Sequence, residues 1–218
     1  MDSATAAAEI SPAARLAAAE GLVAIGAQMH AAGWSRATSS NYSVRLSADP
    51  LRLLVTASGK HKDRLTTDDF VLIDESGGAV EPDALKSSAE TMLHVVLARD
   101  AGAGAIVHTH SVWGTLLSDI HGPEGVVTLA GYEMLKALPG IKTHDTAVDI
   151  AIFPNTQDID ALAAELSDRL KAGDDAVRYG FLINKHGLYT WADQLDSARA
   201  CVEALEFLFE CEGRRLKL

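Results

Sequence analysis

The chain is short of cysteine, of aromatics and of positive charge, and each shortage removes a class of protein. Two cysteines among 218 residues, Cys201 and Cys211, cannot build the disulfide framework of a small secreted domain. Both fall in what reads as the last helix, ten positions apart, too far along one straight helix to pair. Free thiols in a reducing compartment are the expectation. Nineteen Lys and Arg stand against thirty Asp and Glu, a net charge of −11 with no basic stripe, so nucleic acid is not an expected partner. A local cluster of donors can still hold an anion in an acidic protein. No apolar run reaches the length of a membrane span, and no membrane partner is expected. The opening MDSATAAAEISPAARLAAAEG carries acids early and lacks a basic region followed by a compact apolar one. It is not expected to act as a signal or transit peptide, and the expected location is the cytoplasm. There is no GxGxxG, no P-loop, no repeat and no low-complexity linker. One domain over residues 1–218 is expected, large enough to bury a substantial core.

What is present alternates between strands and helices without a strict βαβ rhythm. Ser11-Pro12 marks a helix start that runs to about Ala32 and stops at Gly33. NYSVRL and LRLLVTA, separated by Ser47-Ala48-Asp49-Pro50, predict a β-hairpin, and FVLID predicts a strand followed by a Gly77-Gly78 turn and a further short strand. KSSAETMLHVVLARD predicts a helix with Ser88 as its cap, AIVHTH an apolar strand and SVWGTLLSD a short helix. VVTLA then predicts a strand and GYEMLKAL a helix. DIAIF, a helix over Gln157–Lys171, the strand pair YGFLIN and GLYTW, and a long helix from Asp193 complete the chain. The pattern implies an α/β fold with a mostly antiparallel sheet covered by helices on both faces.

Among eight histidines the informative pair is His108 and His110 in AIVHTHS. Residues i and i+2 of a strand point to one face, so two imidazoles stand side by side and both can reach a metal ion. On spacing alone such a pair is more often two polar residues on a half-exposed strand. The apolar flanks Ala105-Ile106-Val107 and Val112-Trp113 shift the balance towards the end of a buried strand, where imidazoles need partners. His186, beside Gly187 between two apolar segments, is the best third ligand. Zinc sites that catalyse use about three protein ligands and an open position. His30 and His94 read as structural, His61 and His144 as exposed loop residues, and His121 has no stronger context.

Three segments are rich in small donors: Ala37–Asn41, Thr56–Lys60, and Lys86-Ser87-Ser88. Each alone is more often a capped turn. Three together suggest a phosphate monoester held by neutral donors at turns and a helix start.

Taken together, SSN, TASG, KSSAE, HTHS and KHG resemble, in order and spacing, the class II aldolase and adducin family, over about Gly33 to Trp191. ATSSNYSVR, TASGKHKDRLT, KSSAETMLH, YEMLKAL, IFPNTQDI and GFLINKHGLYTW resemble its dehydratase branch, which acts on a methylthio-substituted ketose 1-phosphate in methionine salvage. The resemblance implies a three-layer α/β/α fold, a homotetramer with active sites between neighbouring subunits, and one zinc ion per subunit. It implies zinc ligands at His108, His110 and His186. It places phosphate at Ser40-Asn41, Ser58-Gly59 and Ser87-Ser88, the acid/base role at Glu133, and an acidic residue near the metal at Glu90. Burial beside Leu129 and Met134 is expected to raise the Glu133 pKa, with the metal's charge opposing. Glu90 reads as a fourth ligand, a second proton carrier, or a partner of Lys86. The chain departs from the family pattern at Ser40, where Gly is frequent, at Asn184-Lys185, where Arg-Gly is common, and at Ala192, where Gly is common. An aldolase on the same site, and a non-catalytic interaction module, are the alternatives; the three retained histidines argue against the second.

Overall fold

The computed structural model describes residues 10–217; the first nine residues, part of the opening segment read above, lie outside them. Eight strands form one sheet: β1 (Asn41–Ala48), β2 (Leu51–Thr56), β3 (Phe70–Ile73), β4 (Ala105–Thr109), β5 (Val126–Ala130), β6 (Ala147–Phe153), β7 (Phe181–Ile183) and β8 (Gly187–Ala192). Their order is β3-β2-β1-β4-β8-β7-β6-β5. Every pairing is antiparallel except β6 with β7, so the sheet is mixed and mostly antiparallel, as the residue pattern implies.

Period-two alternation assigns each strand residue to one of two cores. On one face Leu53, Val55, Ile106, Phe153, Phe181 and Tyr189 pack against α2 (Thr91–Asp100) and α4 (Ile159–Lys171). On the other, Tyr42, Leu54, Ala105 and Val107 meet α1 (Pro12–Ala31) and the start of α5 (Leu195–Arg215). Ile150, Leu182 and Leu188 meet α3 (Val112–Ile120) and the rest of α5 on that same side. The result is three layers, helix–sheet–helix. Each large aliphatic side chain buried in it stabilises the fold by about 1.5–3 kcal/mol.

Local signals explain the element ends. Ser11 caps α1, its side chain accepting from the Ala14 N–H at 3.1 Å, with Pro12 first in the helix. Three expectations are corrected. KSSAE does not open the second helix, because Ser58 N–H donates to Lys86 O and Ala57 bridges to Ser87, holding 86–88 extended. The helix therefore begins at Thr91 with Glu90 at its cap position. YEMLKAL forms only a 3-10 turn, Glu133–Ala137, since Pro139-Gly140 follows before an α-helix can be nucleated. The short strand expected after Gly77-Gly78 is a single bridge, Ile73 to Ala79.

The register places the start of β1, the ends of β2, β4, β6 and β7, and the start of β8 at one end of the sheet. At that end lie His108, His110, His186 and the three donor-rich segments.

Candidate active site

His108 is the fourth residue of β4 and points to the α2/α4 face, beside Tyr189, with its ring stacked 4.0 Å from the tyrosine ring. Its Nδ1–H donates to Leu188 O at 2.9 Å, and its Nε2, fully buried, has no partner. That hydrogen bond fixes the tautomer and leaves the Nε2 lone pair free for a ligand. His110 follows just past the strand end, its N–H donating to Trp34 O at 2.7 Å. His186 sits in the turn from β7 to β8. Lys185 takes a left-handed conformation at φ 55 there, and Asn184 Nδ2 (2.6 Å) and Lys185 N–H (2.9 Å) donate to Ser118 of α3. The Thr115 hydroxyl donates to His186 O at 3.0 Å. Gly187 is required beside it, because a Cβ at that position would lie 1.9 Å from Thr109 O.

The Nε2 atoms of His110 and His186 are 3.1 Å apart, and a ligand atom from each of the three histidines lies within 4.8 Å of the others. Two nitrogens each about 2.0–2.1 Å from one tetrahedral ion lie about 3.4 Å apart, so the trio fits a metal ion, with the orphaned His108 Nε2 as its buried member. Burial, and then the neighbouring histidine charges, hold His108 well below its ordinary pKa and His110 at about 3. Neutral imidazoles are the form that binds metal.

Glu90 projects into the same space. Its Oε1 is 3.4 Å from His186 Nε2 and its Oε2 3.6 Å from His108 Nε2. It faces the histidines and Asn41 rather than Lys86, which lies before the helix. Asn41 Nδ2 donates to Glu90 Oε2 at 2.7 Å and to Ser88 Oγ at 3.1 Å. His94 sets that orientation: Ser43 donates to its Nδ1 at 2.7 Å, and its Nε2 donates to Asn41 Oδ1 at 2.5 Å. Burial lowers the His94 pKa to about 4, so the relay is neutral. Both ends of the Asn41 amide are thus committed to holding Glu90 and Ser88.

A cleft of about 530 Å³ runs past these groups, lined by Ser40, Asn41, Ser58, Gly59, Ser88, Glu90, His110 and His186 among others. Ser87 is not in its wall; its backbone pairs with Ala57. Ser40 adopts φ 74, the left-handed region glycine enters without cost, which accounts for the frequent glycine at this family position. Sequence reasoning missed two parts of the lining. One is Lys62, whose signal was the second cation of KHK one turn beyond TASG. The other is Asn155–Asp160, the NTQDID segment entering α4.

Glu133 is elsewhere. It lies on the 3-10 turn with its side chain 69% exposed, paired with Lys136 at 2.6 Å and His144 at 3.2 Å. The expected raised pKa is corrected: the Lys136 hydrogen bond and charge, with His144, hold it below the ordinary carboxylate value.

Behind β4 the alternation sends Thr109 to the other face, where its hydroxyl donates to Glu206 Oε1 of α5 at 2.6 Å. Glu206 is fully buried, its Oε2 has no partner, and burial pushes its pKa up to about 7.

A helix–sheet–helix sandwich with three imidazoles and a carboxylate converging beside hydroxyl-rich turns defines a metal-site protein of the aldolase type. The family model for the class II aldolase and adducin N-terminal domain matches residues 20–212, and the chain belongs to that family. It is 47% identical to the methylthioribulose-1-phosphate dehydratase of Pseudomonas fluorescens strain Pf0-1 over 89% of this chain and 91% of that one. It is 42% identical to the dehydratase of the same name from Hahella chejuensis, over 92% and 94%. The crystal structure of L-fuculose-1-phosphate aldolase from Thermus thermophilus superposes with a TM-score of 0.71 at 22% identity, over 93% of this chain and 97% of that one, a likeness of fold. No helix among the described residues is long and apolar enough to cross a membrane.

Proposed function

We propose that the protein is a zinc-dependent methylthioribulose-1-phosphate dehydratase, a hydro-lyase of methionine salvage acting in the cytoplasm as a single-domain subunit of a homotetramer. The observation that carries the reading is the convergence of His108, His110, His186 and Glu90 at one end of a cleft whose other lining is hydroxyl-rich. Identity above 40% to two dehydratases of that name supports the choice of reaction.

His108, His110 and His186 would hold the zinc ion. When bound, it supplies Lewis acidity at the ketose carbonyl, which makes the neighbouring C3 proton removable. The order of loops along the sheet supports one direction for the substrate. Ser40, Ser58, Gly59 and Ser88 flank β1 and β2 and hold the phosphate, with the Ser87 backbone bracing their loop. The reacting carbons lie over β4 and β8, and the rest of the chain extends towards Asn155–Asp160 beyond β6. A carboxylate takes the C3 proton and the C4 hydroxyl leaves as water with a proton from an acid. The enol then tautomerises to the 2,3-diketone, and no carbon–carbon bond breaks. Glu90 stands in the cleft for one proton transfer. Glu133 performs the other from a neighbouring subunit, since in its own chain it lies outside the cleft.

The cleft walls favour a site completed across an interface. Ala57, Ala89 and Ile159 are their apolar side chains, too little to enclose a methylthio group. Val112, Leu116 and Ile120 form an exposed stripe along α3, which starts two residues after His110, and Met134 is exposed beside Glu133. Apolar surface so placed suits a second copy of the chain.

The test is to incubate metal-quantified protein with methylthioribulose 1-phosphate, and with fuculose 1-phosphate in parallel, and to read products by mass spectrometry. Loss of one water from the first, abolished by a chelator and restored by zinc, is expected. Cleavage into two carbon fragments would instead make the protein an aldolase on the same site.

A further inference from the structure

We infer that Lys62 is the cation that recognises the substrate's phosphate, its ammonium group completing a cradle otherwise made of hydroxyls and backbone N–H groups. The inference rests on the reading of the substrate as a phosphate ester.

Lys62 opens the 3-10 turn Lys62–Arg64 that follows the TASG segment, and it is 1% exposed. Its Nζ donates to Lys60 O at 2.7 Å and to Thr38 O at 3.3 Å, one carbonyl from each of the two loops that flank the cleft beside β1 and β2. An ammonium carries three donors, and these bonds use two. Lys62 is among the residues lining the cleft, with Thr38, Ser40, Ser58, Gly59 and Ser88. Among the described residues no carboxylate pairs with it, and burial alone pulls its pKa down to about 8. An ammonium buried without a counter-ion is a costly feature that two carbonyl acceptors do not explain, because a neutral donor would serve them as well.

The remaining charges of the cleft leave this position to Lys62. Lys60 is engaged by Asp69 at 2.7 Å, and Lys86 is not in the lining. The carboxylates of the lining, Glu90, Asp158 and Asp160, come from the α2 cap and the segment after β6. A dianionic phosphate is therefore drawn to the β1/β2 side, where the third Nζ proton meets it in a charge-assisted bond. On this proposal the phosphate is held by neutral donors together with one cation.

Inorganic phosphate is the probe, titrated calorimetrically into the metal-loaded wild type, Lys62→Gln and Lys62→Met. Glutamine keeps a donor for the loop carbonyls and loses the charge; methionine loses both. Both variants are expected to bind phosphate at least about tenfold more weakly than wild type. Their KM for methylthioribulose 1-phosphate is expected to rise by a similar factor, with kcat within about threefold. Wild-type phosphate affinity in Lys62→Gln would overturn the proposal, because the lysine would then be a staple between loops. Absence of phosphate binding by the wild type would overturn it as well. A second measurement needs no variant: the Lys62 ammonium resonance of isotope-labelled wild type, read by NMR, should shift on saturation with phosphate while those of the exposed Lys142 and Lys185 do not. A Lys62 resonance that ignores saturating phosphate overturns the assignment. If phosphate binds through Lys62 yet methylthioribulose 1-phosphate is not dehydrated, the proposed reaction fails and the anion site stands.

Discussion

Replacing Glu206 by glutamine should make the protein more stable above neutral pH and leave it nearly unchanged in acid. Glu206 is 1% exposed on α5, accepts from Thr109, and has an Oε2 without a partner. Burial raises its pKa to about 7 from an ordinary 4.5. The sign follows from proton counting. Below 4.5 the carboxyl is protonated in both folded and unfolded chains and contributes no difference. Between 4.5 and 7 the folded chain holds a proton that the unfolded chain has released, so stability falls as pH rises, and the loss is complete above 7. A shift of that size corresponds to about 3 kcal/mol, most of it developed between pH 5 and 8. Glutamine is neutral throughout and presents the same shape as the protonated acid. His94, held at about 4, tilts stability the other way between 4 and 6.5, but it is common to both proteins and cancels in the comparison. Urea midpoints of wild type and Glu206→Gln at pH 5, 6.5 and 8 measure the effect. The variant should gain about 2–3 kcal/mol on wild type between the first and last. A pH-independent difference, or a variant less stable than wild type at pH 8, would refute the reasoning that Glu206 is a buried, poorly solvated carboxyl.

Three further outcomes are expected. His110→Ala should retain its fold, because the ring stands past the end of β4 at the cleft, and should lose bound zinc and turnover together, read by metal quantification and product formation. Glu133→Gln should keep zinc content and substrate affinity while kcat falls by at least about a hundredfold, as befits loss of a proton-transfer group; near wild-type turnover would remove Glu133 from the mechanism. Gly187→Ala forces a Cβ to within 1.9 Å of Thr109 O in the centre of the sheet and should cost more than about 3 kcal/mol of stability, seen as a lowered denaturation midpoint and reduced metal content.

Much of this was legible in the residues because it depends on short-range geometry. Spacing of two brings His108, on β4, and His110, just past its end, to one site, and an apolar run on either side of KHG places His186 in a tight turn between strands. Cap chemistry placed α1 to within a residue. What escaped depends on partners distant in sequence. Ser88 has the look of a helix cap, yet backbone bonds from Ala57 and Ser58 keep its segment extended. His94 reads as structural, and it is; what only the fold shows is that its partners are Ser43 and Asn41, some fifty residues away. Lys62 carries no role in the sequence reading, because its carbonyl partners, Thr38 among them, meet it only where the turn after β2 packs against the loop before β1.

Glu133 is the instructive case, because its local surroundings speak against the role proposed for it. A general acid or base working near neutral pH needs a pKa raised by burial, yet Lys136 and His144 hold this carboxylate low and its side chain is largely in water. Both facts are consistent with a group that finishes its environment in a second subunit. Covering the turn would exclude the water that now solvates Glu133, and drawing the side chain away from Lys136 into a neighbour's cleft would remove the bond that depresses its pKa. The two changes act in the same direction, so assembly and the working pKa would be coupled. A dilution series offers the measurement: if a tetramer builds the site, specific activity should fall as the protein dissociates, while the metal, whose three proposed histidine ligands belong to one chain, should remain bound.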